Sequence, residues 1–184
     1  MLFYSLKKLL AKLEDITIIC LNESLPDHDK ECDLQIMVKN GKQLFYEFFN
    51  VGCEANKENI TSFGNINNCE YQIEIMNIAD KIVNIENWLY AYLLCFPGFG
   101  IQVEEHEFDE KCVCEIRSGI QFMLDLFIDT SESVNLALKS FNDDELIDDI
   151  DSKIKYARDC GEFKVSCQEI PMLIPKSHVW WFLN

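Results

Sequence analysis

Basic residues are scarce in this chain of 184 residues, which has 16 Lys and Arg against 32 Asp and Glu and a formal charge of -16. Proteins that bind nucleic acid use Lys and Arg to displace the counterions of the phosphate backbone, so this balance argues against direct binding to nucleic acid or to an anionic membrane. Only 7 Gly and 4 Pro are present, while 48% of the residues are hydrophobic. The chain is therefore neither fibrous nor disordered, and we expect one compact domain.

Long apolar runs are also absent. The longest one, Trp88 to Pro97, is half of the roughly 20 residues that a membrane-spanning helix needs. Near the N-terminus, Lys7, Lys8 and Lys12 interrupt the apolar pattern, whereas a secretory signal has its basic residues before an unbroken apolar stretch. The 9 cysteines are odd in number, and most lie within apolar patterns, which is typical of free thiols in a reducing compartment. We expect a cytoplasmic protein.

Hydrophobic periodicity predicts an α+β fold, a single domain in which one layer of mostly antiparallel sheet packs against a few helices. Helices are predicted over residues 2–14, 78–96 and 143–160. Strands are predicted at 16–21, 71–75 and 163–167 and in two hairpins, at 33–50 and 101–116. The first hairpin rests on an Asn40-Gly41 turn between two alternating segments. Residues 120–128 are apolar on every side and are predicted to be buried, in either a helix or a strand.

Candidates for catalysis are few, because a nucleophile needs an adjacent base and the histidines are His28, His106 and His178. His106 lies shortly before Cys112 and Cys114, and these three side chains are possible zinc ligands. Two cysteines on one face of a strand are more often packed than bound to a metal, so we expect neither a metal site nor a cofactor. We likewise expect no catalytic residue and no enzymatic activity.

The stretch ECDLQIMVKNGKQLFYEFF resembles the core of PD-(D/E)xK nucleases, in which two strands bring carboxylates together on a magnesium ion beside a lysine. The resemblance implies that Asp33 and Glu47 are the metal-binding carboxylates. Phe49 occupies the position of the family's lysine, and a chain of charge -16 would repel a nucleic-acid substrate. A metal-dependent nuclease that is degenerate at this lysine is the enzyme alternative.

Two short segments carry most of the negative charge. Residues 104–115 contain six acids and one base and residues 143–151 contain six acids and no base, so together they supply -11 of the net -16. Acids near a helix N-terminus interact favourably with the macrodipole, which accounts for part of the second segment. Like charges four residues apart on a helix repel each other, and a cationic partner would offset that repulsion. The predicted partner-binding residues are Glu104, Glu105, Glu107, Asp109, Glu110, Asp144, Glu145, Asp148 and Asp151.

In size, acidity, expected location and lack of catalytic groups, the chain resembles the immunity proteins of bacterial toxin systems, notably those of contact-dependent growth inhibition. The resemblance implies a protein that neutralises a cognate toxin, commonly a nuclease, by binding it tightly. The predicted partner is therefore a cationic toxin domain, bound one to one through acidic surface patches. The remaining alternative is an acidic chaperone or adaptor for a secreted effector, which would bind an unstructured segment instead of a folded toxin.

Overall fold

The described parts of the chain are helical. The computed structural model describes residues 1–22, 31–66, 69–85, 110–143, 145–160 and 165–182. These ranges contain no strand, so the predicted α+β class with its antiparallel sheet is wrong. They contain the helices α1 (Leu2–Asn22), α2 (Glu31–Lys57), α3 (Cys69–Ile82), α4 (Glu110–Phe127), α5 (Glu132–Asp143) and α6 (Leu146–Asp159), and the 3-10 helix Val179–Trp181.

The predicted first helix is confirmed, but α1 continues through the segment that was predicted as the strand 16–21. A stripe of buried leucines at positions 2, 6, 9 and 13 extends by one further step to Ile16, which is 3% exposed. Because that stripe keeps the helical period, it carries the helix into the β-branched run that follows. β-branched residues lower the stability of a helix by only about a few tenths of a kcal/mol per residue. That cost is too small to end a helix that is packed against its neighbours.

The predicted hairpin at 33–50 is wrong, because these residues belong to the long helix α2. Its buried side chains include Leu44, Phe45 and Phe48, spaced as on one helix face, whereas Tyr46 between them is 41% exposed. The predicted turn at Asn40 lies inside the helix. There the Lys12 ammonium of α1 donates hydrogen bonds to the side chains of Asn40 at 2.9 Å and Gln43 at 2.7 Å. Packing against α1 therefore outweighs the turn preference of Asn-Gly.

Helices α2 and α4 approach until their backbones touch. A Cβ atom added at Gly119 of α4 would lie 1.9 Å from the carbonyl oxygen of Phe45 in α2. One added at Gly52 of α2 would lie 2.0 Å from the Phe122 ring of α4. Two glycines thus permit the contact at the centre of the fold, since a side chain at Gly119 would meet the α2 backbone and one at Gly52 would meet the Phe122 ring.

Helix α4 replaces the end of the second predicted hairpin. Residues 110–116 of that hairpin are helical, so their prediction as a strand is wrong, and residues 101–109 lie outside the described ranges. The segment 120–128 was predicted only to be buried. It forms the second half of α4 and ends in exposed Ile128, and its buried apolar residues are Ile120, Phe122, Met123, Leu126 and Phe127.

Helix α3 was predicted partly as a strand at 71–75 and partly as the start of a helix at 78–96. Both parts belong to one helix that ends at Ile82, because Ile75, Ile78 and Ile82 follow the helical period and are buried. The strand at 71–75 is therefore wrong. Residues 86–96 lie outside the described ranges. None of the helices in the described ranges is both long enough and apolar enough to cross a bilayer.

The predicted last helix, at 143–160, is confirmed as α6, although the helix begins at Leu146 and its N-cap is Glu145 with φ 58°. The last predicted strand is wrong over 165–167, which are irregular, and 163–164 are outside the described residues. From Val165 the chain returns across the helices to the 3-10 helix, where Trp180 and Trp181 are buried. This C-terminal segment contacts α4 and α6 and positions the side chains described next.

Candidate functional site

The structure places only part of the predicted acidic surface. Five of the predicted residues, Glu104, Glu105, Glu107, Asp109 and Asp144, lie outside the described ranges. Glu110 is the first residue of α4 and is half-buried, so it belongs to a helix and not to the predicted hairpin. Within the described residues, the predicted acidic surface is therefore the one at the start of α6.

Helix α6 separates an apolar face from an acidic one. Ile147, Ile150 and Ile154 point into the core, whereas Glu145, Asp148 and Asp149 are exposed. Sequence reasoning did not select Asp149, although its position in the first helical turn gives the same dipole benefit as Asp148. We call Glu145, Asp148 and Asp149 the acidic face of α6. The basic residues of this helix lie nearer its C-terminus than the acidic face does; they are Lys153, Lys155 and Arg158. The charge of the helix surface therefore changes from negative to positive along its axis.

Asp151, the last predicted acid, is paired with an arginine of α4. Its Oδ1 accepts a hydrogen bond from Nε of Arg117 at 2.6 Å, and its Oδ2 accepts one from Nη2 at 3.0 Å. The Arg117 side chain is 4% exposed and the Asp151 side chain 42% exposed. Asp151 therefore anchors α6 to α4, and the exposed acids before it are held on a fixed helix.

Arg117 is the centre of a polar network that no local sequence pattern indicated. Its Nη1 donates to Gln121 Oε1 at 3.2 Å, and Gln121 Nε2 donates to Asp125 Oδ1 at 2.9 Å one turn further along α4. Its guanidinium also lies over the Trp180 ring, 4.1 Å from the ring centroid. Burial raises the pKa of Asp125, against opposing effects of the Gln121 hydrogen bond and the Arg117 charge. The network joins α4, α6 and the C-terminal segment.

Ser118 and His178 form a pair that resembles a catalytic dyad, with 3.0 Å between Ser118 Oγ and His178 Nδ1. The hydroxyl oxygen also accepts hydrogen bonds from the indole N–H groups of Trp180 at 2.9 Å and Trp181 at 2.8 Å. The Trp180 indole N–H is shared with the Cys114 carbonyl oxygen, 3.2 Å away. Burial and the Arg117 charge lower the pKa of His178 to about 4, so its imidazole is neutral near pH 7.

The Ser118 hydroxyl has no route to a substrate. The residue is 0% exposed, and each of its hydrogen-bonding positions is used within the protein. A nucleophile needs a free lone pair aimed at the reacting atom. Ser118 therefore works as a structural centre that fixes both tryptophans of the 3-10 helix against α4.

The residues proposed for metal binding are not brought together. Residues 33 and 47 lie on the same helix, 14 positions and hence about 21 Å apart along its axis, so they cannot share an ion as carboxylates on paired strands do. His106 lies outside the described ranges. Burial raises the pKa of the Cys114 thiol to about 12, which disfavours the thiolate that zinc requires. Among the described residues, no group of three or more His, Cys, Asp or Glu side chains could hold a metal ion.

An open groove of about 560 Å³ lies between α1, α2, α4 and the C-terminal segment. Glu47 and Phe49, both from the stretch that resembled a nuclease, line it. Within it the Lys57 ammonium pairs with Glu54, and Lys111 lies 3.8 Å from Glu115. These opposite charges largely cancel, so the groove has no net positive charge with which to bind a phosphate ligand.

Known proteins give no independent indication of function. The chain matches no protein-family model, no curated protein and no solved structure. The function proposed below therefore rests on the charge, burial and contacts of the residues described above.

Proposed function

We propose that this protein is an immunity protein of a bacterial toxin system, a cytoplasmic inhibitor that binds a cognate basic toxin domain one to one. The observation that carries the proposal is the acidic face of α6, where Glu145, Asp148 and Asp149 are exposed on a helix fixed by the Arg117–Asp151 pair. Fixed carboxylates bind a cationic surface well because little conformational entropy is lost when the complex forms.

The mechanism is electrostatic competition. A toxin that cleaves nucleic acid needs a basic cleft for the phosphate backbone, and carboxylates placed over that cleft would occupy the same Lys and Arg side chains. The net charge of -16 adds long-range attraction, which accelerates encounter with a cationic partner. The acids at 104–110 would extend this contact, and their part in it stays a prediction.

The enzyme alternative has no support from the geometry. Its two carboxylates are far apart on α2, and the Ser118 hydroxyl is enclosed in the core. Inhibition by binding requires only the exposed charge and the rigid scaffold that α6 provides.

Growth protection tests the proposal. The proposal predicts that the gene directly upstream encodes an exported protein with a basic C-terminal domain. The probe is that domain, produced in a host cell with or without the chain. We expect wild-type chain to restore growth and the double variant Asp148→Lys/Asp149→Lys to lose protection. The matched control, Glu58→Lys/Asp80→Lys, changes the net charge equally at two exposed sites, in the turn after α2 and on α3, and should still protect.

Three results would count against the proposal. A wild-type chain that gives no protection contradicts the immunity role. Protection by the α6 variant at the wild-type level contradicts the acidic-face mechanism. If the chain instead binds only unfolded fragments of the upstream protein, measured by limited proteolysis of the bound partner, it acts as a chaperone or adaptor.

A further inference from the structure

The exposed face of α6 is centred on Ser152 and has the same pattern on both sides of it. Successive residues of an α-helix turn by about 100°, so Asp148 and Lys155 lie about 40° and about 60° to one side of Ser152. Asp149 and Tyr156 lie about 60° and about 40° to the other side. All five side chains are exposed, Tyr156 by 69%. Each side of the face therefore has an acid before Ser152 and a hydrogen-bond donor after it.

This pattern is complementary to itself under a two-fold rotation. When two copies of α6 pack antiparallel and cross at Ser152, a residue before the crossing faces one after it that lies on the same side of the face. Asp148, about 6 Å before Ser152 along the axis, then faces Lys155 of the second copy, about 4.5 Å after it. Asp149 faces the phenol of Tyr156, whose hydroxyl can donate to a carboxylate. The symmetry forms each pair twice.

The face also suits a close crossing of two helices. Ser152 has a small side chain, so two helix backbones can approach each other there. Glu145 and Asp159 carry like charges, but each lies about 10.5 Å from Ser152 along the axis, where helices that cross at about 50° have moved apart. The Arg117–Asp151 pair already fixes α6, so little conformational entropy is lost when a second helix binds.

The placement of the charges has no role within one chain. Asp148 and Lys155 are seven residues apart, about 10.5 Å along α6, so they do not pair with each other in the same helix. The macrodipole favours acids near the N-terminus and bases near the C-terminus, but it does not depend on which side of the helix they occupy. An antiparallel second copy requires Asp148 and Lys155 on the same side of Ser152, which is where they lie.

We propose that α6 forms a symmetric dimer of this chain, in which two antiparallel copies of the helix cross at Ser152 and Asp148 pairs with Lys155 of the second copy. One pair of helices buries less than the roughly 1,200 Å² of a stable interface, and two chains of charge -16 repel each other. The dimer is therefore weak and dissociates readily.

The dimer covers the acidic face of α6, so a second copy and the proposed toxin compete for one surface. A bound toxin would hold the chain as a monomer, in keeping with a one-to-one complex. The dimer itself does not depend on the toxin, because the charges that form it all belong to this chain.

Sedimentation equilibrium of the full chain tests the dimer, at concentrations up to about 1 mM and in about 150 mM salt, which screens the general repulsion between the chains. We expect wild type to dimerise with a dissociation constant on the order of 100 μM. Asp148→Lys and Lys155→Asp should each weaken the dimer at least about fivefold, because each places like charges opposite each other. The exchange variant Asp148→Lys/Lys155→Asp should restore the wild-type constant within about twofold, because opposite charges face each other again.

The control is Glu58→Lys, which changes the net charge as much as Asp148→Lys does, at an exposed site in the turn after α2. Both changes reduce the negative charge, so general repulsion alone would make both variants associate more tightly than wild type. A weaker dimer for Asp148→Lys but not for Glu58→Lys therefore reports the specific contact.

Three results would overturn the dimer. Wild type that remains monomeric up to about 1 mM excludes it at the strength expected from this surface. A dimer that neither single variant weakens is formed by another part of the chain. Single-variant losses that the exchange variant does not restore contradict the antiparallel pairing. Circular dichroism of each variant confirms that a change in association is not a loss of folding. No toxin is present in these measurements, so their failure leaves the growth-protection test of the inhibitor function unaffected.

Discussion

Arg117 of α4 and Asp151 of α6 are joined by two hydrogen bonds, Nε to Oδ1 at 2.6 Å and Nη2 to Oδ2 at 3.0 Å. The planar guanidinium matches the carboxylate at both ends, which fixes the rotation of α6 relative to α4 as well as its distance. The direction of the acidic face therefore depends on a pair in which Arg117 is nearly buried and Asp151 is partly exposed. Asp151 serves the proposed interface by positioning its neighbours.

Removing the Asp151 carboxylate should destabilise the fold. Asp151→Ala leaves the nearly buried Arg117 charge without its counter-ion, and we expect a loss of about 2 kcal/mol in urea denaturation, below the value for a fully buried pair because Asp151 is partly exposed. Asp149→Ala removes an exposed acid from the same helix and should cost less than about 1 kcal/mol. Equal losses for the two variants would show that the pair contributes no stability.

The contact between α2 and α4 predicts that Gly119→Ala is severely destabilising. Its Cβ would lie 1.9 Å from the carbonyl oxygen of Phe45, and backbone atoms cannot move aside by changing rotamer. We expect a loss of at least about 3 kcal/mol in the free energy of unfolding.

Gly52→Ala provides the comparison, because its Cβ meets the Phe122 side chain instead of backbone. The double variant Gly52→Ala/Phe122→Leu should therefore be more stable than the sum of its single changes, as measured in a double-mutant cycle. Additive losses there, or a Gly119→Ala chain as stable as wild type, would mean that the helices are further apart than described.

Ser118 should be important for stability although it is small. In Ser118→Ala the indole N–H of Trp181 and the Nδ1 atom of His178 both lose their hydrogen-bond partner inside the core. Unsatisfied buried polar groups make the expected loss about 2 to 3 kcal/mol. Ser133→Ala, at an exposed serine of α5, should change stability by less than about 0.5 kcal/mol. A similar effect for both variants would contradict the hydroxyl-centred network.

His178 should make stability depend on pH. Its folded pKa of about 4 lies below the ordinary value of 6.5, so the unfolded chain takes up the proton first as pH falls. The stability that neutral His178 gives the folded state is complete above about pH 6.5 and is lost progressively toward about pH 4. Between about pH 7 and about pH 5 the free energy of unfolding should fall by roughly 2 kcal/mol from this cause.

The variant His178→Gln isolates this effect, because the other histidines and the carboxylates titrate in both chains. Wild type should lose more stability than His178→Gln over that interval. Parallel pH profiles for the two proteins would show that His178 titrates normally.

Hydrophobic pattern alone predicted α1 and α6 but misassigned α2. In α6 the buried apolar stripe runs from Ile147 to Ala157, about three turns, and the acids are grouped in the first turns and the bases in the last, so the helical period is unambiguous. In α2, Leu44, Tyr46 and Phe48 alternate as they would in a strand. Phe45 and Phe49 are buried as well, and together with Leu44 and Phe48 they have the spacing of one helix face. Long-range packing, not local preference, selected the helix.

The acidic face could be predicted from the sequence, whereas its support could not. Asp148 belongs to a local charge pattern that is visible in the sequence itself. Arg117 is identified only by its partners, since Asp151 lies 34 residues further along the chain. No period or motif relates residues at such separations, and the same limitation hid the contact of Ser118 with the tryptophans.

Calorimetric titration of the full chain with the basic toxin domain that the proposal predicts upstream tests the central claim most directly. Wild type and Glu58→Lys/Asp80→Lys should bind one to one, with affinities that fall as salt is raised from about 50 mM to about 300 mM, because screening weakens exposed charge pairs. Asp148→Lys/Asp149→Lys should bind at least roughly tenfold more weakly at low salt and depend less on salt. Wild-type affinity in that variant at low salt would contradict the acidic face of α6 as the binding surface.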